Sequence, residues 1–372
     1  MRDRPVRVFM TADAVGGVWQ YALDLARDHA LHGIETVLAV LGPAPDPAQV
    51  ADAEKAGIRL VVTGLPLDWT APSASAVEEA GWAVARLATE TEPDLVHLNA
   101  PALAAAALFP APVVTVAHSC VATWWEANRT EPLPLEFAWQ RDLTRRGYNA
   151  ADAVTAPTRA FAEATAAAYG LASPPLVVRN GRRAASLPPL AGDPFVFTAG
   201  RLWDDGKNLA TLDRAAARLS LPVLAAGPLD GPNGARVALD RIRALGRLDD
   251  RAVAERLAAR PIFASLARYE PFGLAVLEAA QAGCPLVLSD ISTFRELWDG
   301  AAAFVPADDD AAAAAAIEAL ARDPDARARL GDAARDRASR YTVEAMGRDL
   351  RAVYRSLLDP SRARPRAEDE AA

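Results

Sequence analysis

The strongest constraint on this chain is an alternation. Short apolar runs rich in Val, Leu and Ile are each followed by a longer stretch with helical spacing, and the pattern begins again in the second half. Val6–Thr11, Glu35–Leu41, Ile58–Thr63, Asp94–Asn99, Val113–Ala117, Ala153–Pro157 and Leu176–Arg179 read as the strands of the first half. Phe195–Ala199, Pro222–Gly227, Pro261–Leu266, Pro285–Asp290 and an edge strand, Ala302–Pro306, read as those of the second. Strands joined through helices run parallel, with helices on both faces, and such α/β sheets bind ligands at the carboxyl ends of their strands. A chain of 372 residues is too long for one ordinary core. Pro188, Pro189, Gly192 and Pro194 mark a linker between the halves.

The second half carries the densest chemistry. After the apolar run ending at Leu266, a short loop holds Glu270, Pro271 and Phe272, and a helix begins at Gly273 with Leu274, Leu277 and Ala280 at helical spacing. The free amides of Gly273 and Leu274 and the positive end of the helix dipole form an anion site. Glu270 stands before that mouth and Glu278 about a turn and a half inside it. An anion site flanked by two carboxylates suits a phosphate-linked sugar. The same pair also fits a dipole-stabilised acid and a solvated helix residue. Upstream, Gly200-Arg201-Leu202-Trp203-Asp204-Asp205-Gly206-Lys207-Asn208 follows a strand. Arg201 and Lys207 bracket this loop as a planar fork and a point charge would bracket a diphosphate, unless each pairs with Asp204 or Asp205.

The stretch E-P-F-G-L-A-V-L-E resembles the signature of family 4 (group 1) retaining glycosyltransferases, of the glycogen synthase-like superfamily with GT-B fold. A-G-R-L-W-D-D-G-K-N resembles that family's diphosphate-binding segment, and S-D-I with R-E-L near Glu296 matches a further family segment. The resemblance implies two Rossmann-like parallel-sheet domains facing a cleft. Residues 1–188 would form an acceptor domain and 189–342 a nucleotide-sugar domain. The helix 343–358 would cross back to the first domain, and 359–372 would be a disordered tail. It implies that Arg201, Lys207 and the Gly273 and Leu274 amides stabilise the leaving diphosphate, with Gly200 in the same loop. Glu270 would hold donor-sugar hydroxyls and Glu278 the ribose. Arg247, in Ala244–Leu248, lies in the segment whose backbone reads the base. V-V-R-N-G resembles the family's inter-domain exit, with Arg179 in place of the usual proline.

In the first half, Gly16 and Gly17 occupy the first strand-to-helix turn, where the backbone comes close to a ligand. The pair resembles the family's N-terminal glycine loop, although a turn alone can require two glycines. His118 follows a strand end, and V-T-V-A-H-S resembles the segment whose histidine contacts the transferred sugar. His29, His32 and His97 read as structural. The stretch from Val121 to Arg129 reads as a loop whose Trp124 and Trp125 either contact the acceptor, the reading preferred here, or pack beneath it.

The expected function is transfer of a hexose from a nucleotide diphosphate sugar, most commonly UDP, to a hydroxyl on a glycan, lipid-linked or small-molecule acceptor. A nucleotide-sugar epimerase and a non-catalytic sugar-nucleotide-binding protein are the alternatives. A phosphorylase would need a pyridoxal phosphate lysine, for which no motif stands out. NAD binding is disfavoured because the first turn lacks a full G-x-G-x-x-G and the second strand ends in Leu41-Gly42-Pro43 with no acid. The net charge of −8 argues against a general nucleic-acid binder. No metal or cofactor is expected, and the acid runs at Asp308–Asp310 and Asp323–Asp325 read as helix caps. Cys120 and Cys284 read as reduced, buried thiols. With neither a signal-peptide core nor an apolar run long enough to span a bilayer, a cytoplasmic enzyme is expected, with peripheral membrane contact left open by lipid acceptors.

Overall fold

The computed structural model describes residues 4–185, 187–190 and 192–359; the expected tail from 360 onward lies outside them. The first sheet comprises β1 (Val6–Asp13), β2 (Ile34–Leu41), β3 (Arg59–Val62), β4 (Leu95–Leu98), β5 (Val113–Val116), β6 (Ala153–Ala156) and β7 (Leu176–Val177), in the order β3-β2-β1-β4-β5-β6-β7. The second comprises β8 (Val196–Ala199), β9 (Val223–Ala226), β10 (Arg243–Ala244), β11 (Ile262–Ser265), β12 (Leu286–Ser289) and β13 (Ala303–Val305), in the order β10-β9-β8-β11-β12-β13. Every strand pair in both sheets is parallel.

This order decides where ligands can bind. In the first sheet the winding reverses between β1 and β4, and in the second between β8 and β11. At such a reversal the two connecting helices leave on opposite faces and open a crevice. The loops after β1, β8 and β11 are those carrying Gly16, Arg201 and Glu270.

Both sheets bury apolar rows. Val8, Met10, Leu38, Leu95 and Val114 form one core; Phe197, Phe263, Leu286 and Leu288 lie in the other. Helix Val343–Leu358 crosses back to the first domain. Its Met346, Leu350 and Tyr354, spaced one helical turn apart, join Tyr21 and Leu25 in the first core. His97 is buried in β4, with Nδ1 2.7 Å from the Tyr354 hydroxyl and Nε2 3.3 Å from that of Tyr21. Its structural reading is realised: it is the polar pin on which the returning helix seats. Gly347 allows that helix to lie close, since a Cβ there would come 2.1 Å from Asp28 Oδ2.

Among the strands and α-helices three elements differ from expectation, the first being β10, a two-residue edge strand beyond the five expected in the second half. Helix Pro47–Lys55 was not anticipated, although Asp46 and Gln49 form a reciprocal capping box and Pro47 opens its first turn. Val121–Asn128 is a helix rather than a loop. Cys120 at its N-cap makes no side-chain cap, so the usual start signal is missing. The acid runs do cap helices: Asp309 accepts from the Ala312 amide and Asp323 from that of Ala326, each at 2.8 Å.

Candidate active site

The loop after β8 folds back on itself. Asp204 Oδ1 accepts from the Gly206 amide at 2.9 Å, a single 3₁₀ turn follows over Asp205–Lys207, and Asn208 adopts φ 53°. Asn208 meets the cost of that left-handed conformation by donating to the carbonyls of Leu266 (3.0 Å) and Ala307 (2.8 Å). Lys207 is thereby turned over the end of β8, where its ammonium pairs with the Glu270 carboxylate. Arg201 pairs with Asp204 at 2.9 Å and lies over the Trp203 ring. Of the alternative pairings, Arg201 takes the one with Asp204, whereas Lys207 goes to Glu270 and Asp205 pairs with Arg129. Burial raises the Asp204 carboxyl, but Arg201 and Lys207 outweigh it and hold the group below the usual carboxylate range.

Glu270 is fixed from behind, its carbonyl accepting from Thr293 Oγ1 at 2.7 Å. Gly273 sits at the N-cap of helix Leu274–Ala282 with φ 88°. A Cβ there would also lie 3.2 Å from the Phe294 ring and 3.3 Å from Glu270 Cγ, so glycine is required twice over. Lys207, Glu270, Gly200 and the Gly273 mouth thus share one end of the second sheet. Gly200, Lys207 and Glu270 line a recess of about 20 Å³ there. The larger cavities, about 500 and 410 Å³, both border Asp24 and Arg182, and the second also takes in Asp250 and Glu278.

The first domain faces this grip. Asp13 Oδ1 accepts from the Val15 amide at 2.8 Å and shapes the glycine loop. A Cβ on Gly16 would lie 3.7 Å from Arg201 Cδ, and one on Gly17 3.3 Å from Leu274 Cδ1. Both glycines therefore stand against the rim of the grip. Burial raises the Asp13 carboxyl, partly offset by the Val15 amide and Arg201. Arg247 reaches back to the Ala14 carbonyl at 3.4 Å.

His118 lies 2.7 Å from Asn99 Oδ1 through Nε2. Asn99 Nδ2 donates to the Thr11 carbonyl at 2.6 Å, which fixes the amide and leaves its oxygen as the acceptor. The His118 proton is therefore on Nε2, and Nδ1 carries a lone pair. Burial pushes the imidazole down to about 3, so it is neutral at physiological pH. Its ring meets Tyr21 edge-on at 4.6 Å.

Glu278 does not stand as a solvated helix residue. Its Oε1 accepts from Arg182 Nε at 2.6 Å. Burial raises the carboxyl, partly offset by that guanidinium.

Several residues at the meeting of the domains escape the sequence reading. Tyr269 accepts from the Cys120 amide (3.2 Å) and lies 2.8 Å from Thr123 Oγ1, tying the residue before Glu270 to the helix after His118. Trp124 donates to Asp204 across the cleft at 2.9 Å, and Trp125 donates to the Glu131 carbonyl. The indole N–H of Trp124 thus bridges the two domains, and the Arg129 guanidinium lies 5.1 Å from its ring centroid. Arg179 pairs with Glu296, whose carboxylate also accepts from the Arg159 and Ala160 amides. One signal was available in Gly17, Gln20, Asp24 and Asp28. They recur at helical spacing on a helix whose other residues are largely apolar, which marks a face turned toward a polar partner.

Two facing parallel-sheet domains, with an anion grip at one reversal point and a glycine loop at the other, define a GT-B glycosyltransferase. The sequence matches the family described as Glycosyltransferase Family 4 over residues 15–184 and that described as Glycosyl transferases group 1 over residues 186–337. The chain belongs to this family of glycosyltransferases and uses a nucleotide sugar. It is similar to a glycogen synthase of Mycobacterium tuberculosis, 26% identical over 366 residues, covering 87% of this chain and 86% of the relative. Its fold is similar to that of a sucrose-phosphate synthase from Thermosynechococcus elongatus (TM-score 0.77, 19% identity, 95% of this chain and 99% of the other). It is also similar to Anabaena HepE in complex with UDP-glucose (TM-score 0.72, 21% identity, 94% and 100%). Among the described residues no helix is long and apolar enough to cross a membrane, and no three His, Cys, Asp or Glu side chains cluster as a metal would need.

Proposed function

We propose that the protein is a retaining hexosyltransferase that moves a hexose from a nucleotide diphosphate sugar, UDP first among the candidates, to a hydroxyl acceptor in glycan, glycolipid or polysaccharide assembly. The observation that carries this reading is the convergence of Arg201, Lys207 and the Gly273 helix mouth at the adjacent ends of β8 and β11, directly against the Gly16–Gly17 loop. The second domain holds the donor and the first presents the acceptor.

Positive charge at the grip stabilises the diphosphate as its bond to the anomeric carbon breaks, without metal being required for that neutralisation. Glu270 anchors donor-sugar hydroxyls while sharing Lys207, and Glu278 holds the ribose. The acceptor oxygen forms its bond to the anomeric carbon on the face the phosphate leaves, and its proton passes to the departing phosphate oxygen. Neither glutamate then acts as nucleophile or base. His118, neutral and presenting a lone pair at Nδ1, accepts a hydrogen bond from a donor-sugar hydroxyl. Closure of the domains excludes water. The reading includes a cytoplasmic reaction, with peripheral membrane contact for a lipid acceptor.

Proton NMR of the anomeric coupling in the glycoside product tests this. Retention of the donor's anomeric configuration is expected; inversion contradicts the mechanism.

A further inference from the structure

We propose that Arg182 is a positioning residue for the donor nucleotide. It holds Glu278 so that one oxygen faces the ribose diol, and it makes that hold depend on contact with the first domain. The proposal rests on the reading of Glu278 as the ribose acceptor.

Arg182 leaves the first half just after Asn180-Gly181, and its side chain is only 9% exposed. Its guanidinium spends three nitrogens on three carboxylates. Nε donates to Glu278 Oε1 at 2.6 Å, Nη1 to Asp24 Oδ2 at 2.9 Å and Nη2 to Asp250 Oδ2 at 2.7 Å. Asp24 belongs to helix Gly17–Leu31 of the first domain; Asp250 and Glu278 belong to helices Asp250–Ala258 and Leu274–Ala282 of the second. A further bond fixes the arginine's own backbone, since Gln281 Nε2 donates to the Arg182 carbonyl at 2.8 Å from the helix that carries Glu278.

The three carboxylates are not equivalent. Asp24 Oδ1 already accepts from Arg27 at 3.2 Å, and Asp250 Oδ1 from Gln20 at 3.1 Å. Glu278 Oε2 alone has no hydrogen-bond partner among the described residues, and the Glu278 side chain is 25% exposed. Arg182 therefore pins one oxygen of Glu278 and leaves the other as an acceptor for hydroxyls. A planar fork with fixed donor directions can do this; an ammonium cannot reach three carboxylates in one plane. Ionic networks of this kind are weak evidence for stability. What this one achieves is an alignment: helix Gly17–Leu31, whose first residue meets Leu274 at the grip, also supplies Asp24, so the two ends of the nucleotide site are set by one element of the opposite domain.

Calorimetric titration of the full chain decides the matter, with wild type, Arg182→Met and Asp24→Asn. The ligands are UDP, GDP and ADP, the 2′,3′-dideoxy form of whichever binds tightest, and inorganic pyrophosphate. Wild type is expected to prefer the ribose form by about tenfold, the value of a hydrogen bond to a charged group. Arg182→Met is expected to bring that ratio to about one with pyrophosphate affinity unchanged. Asp24→Asn, which keeps the Arg182–Glu278 pair, should lower the ratio part of the way. An unchanged ratio in Arg182→Met overturns the proposal. Loss of pyrophosphate binding along with the nucleotide also overturns it, by showing that Arg182 only holds the domains together. If wild type binds ribose and dideoxy forms equally, the donor reading stands and the role of Arg182 fails. If wild type binds no nucleotide, the donor reading itself fails.

Discussion

At the residue scale, the charges of the cleft are arranged by what lies beside them rather than by type. Asp68 follows β3 in a half-buried loop, accepting from the Trp69 amide at 3.0 Å. Burial, reinforced by the Asp13 charge, pushes it up to about 6. A carboxyl raised on folding costs stability above its folded value, and that cost vanishes below its unfolded value, because the group is then protonated and neutral in both states. Asp68→Asn keeps the acceptor and removes the charge. It is expected to raise stability at pH 7.5 by up to about 3 kcal/mol, with the gain fading as pH falls through 6 and gone below 4. Urea denaturation at three pH values reads this directly, and a gain that persists at pH 3.5 would contradict it. Gly273→Ala, at φ 88°, is expected to cost about 1 kcal/mol in stability. The same Cβ must push Glu270 Cγ aside, so kcat/KM should fall by far more than the stability loss explains.

At the element scale, the helices carry the coupling between the halves. Helix Gly17–Leu31 sits with its N-terminus at the grip, where a Cβ on Gly17 has 3.3 Å to Leu274 Cδ1. Gly17→Val places branched carbons in that gap and shifts the mouth of the donor helix. A displacement of this kind costs about a hundredfold in kcat/KM, and steady-state kinetics with circular dichroism as a folding control would show it. The returning helix depends on a polar pin. Tyr354→Phe leaves His97 Nδ1 buried without its 2.7 Å partner and is expected to cost about 1–3 kcal/mol by chemical denaturation. What the sequence disclosed at this scale follows from period and capping. β1, β5, β8 and β11 were legible because buried parallel strands are continuously apolar, and helix Val343–Leu358 because its apolar positions recur at one-turn spacing. Helix Val121–Asn128 was hidden because two adjacent tryptophans and an uncapped start carry neither signal. Arg182 was hidden for another reason: its partners lie 158, 68 and 96 positions away, and no local pattern reports such contacts.

At the scale of the whole molecule, the two sheets are joined face to face by polar contacts of modest number. Trp124 to Asp204, Tyr269 to Thr123, Arg129 to Asp205, Glu296 to the Arg159 and Ala160 amides, and Arg182 to Glu278 all cross from one domain to the other. Interfaces of this polar character accommodate relative domain motion more readily than an apolar seam does. These contacts bring the grip against the glycine loop, so binding at the grip and domain closure are coupled. The positions of Glu270, Lys207, Arg201 and Gly273 were legible because each follows a strand at a winding reversal. Their pairings were not, since whether Lys207 turns to Asp205 or Glu270 depends on the Asn208 turn in three dimensions. The measurement that bears most directly on the account is nucleotide release from UDP-, GDP- and ADP-hexoses by wild type and Lys207→Ala. One donor should be consumed by wild type, with turnover in Lys207→Ala lower by about 10²- to 10³-fold while its unfolding transition is unchanged. Equal turnover by the two proteins would contradict the assignment of the grip and, with it, the account of the site.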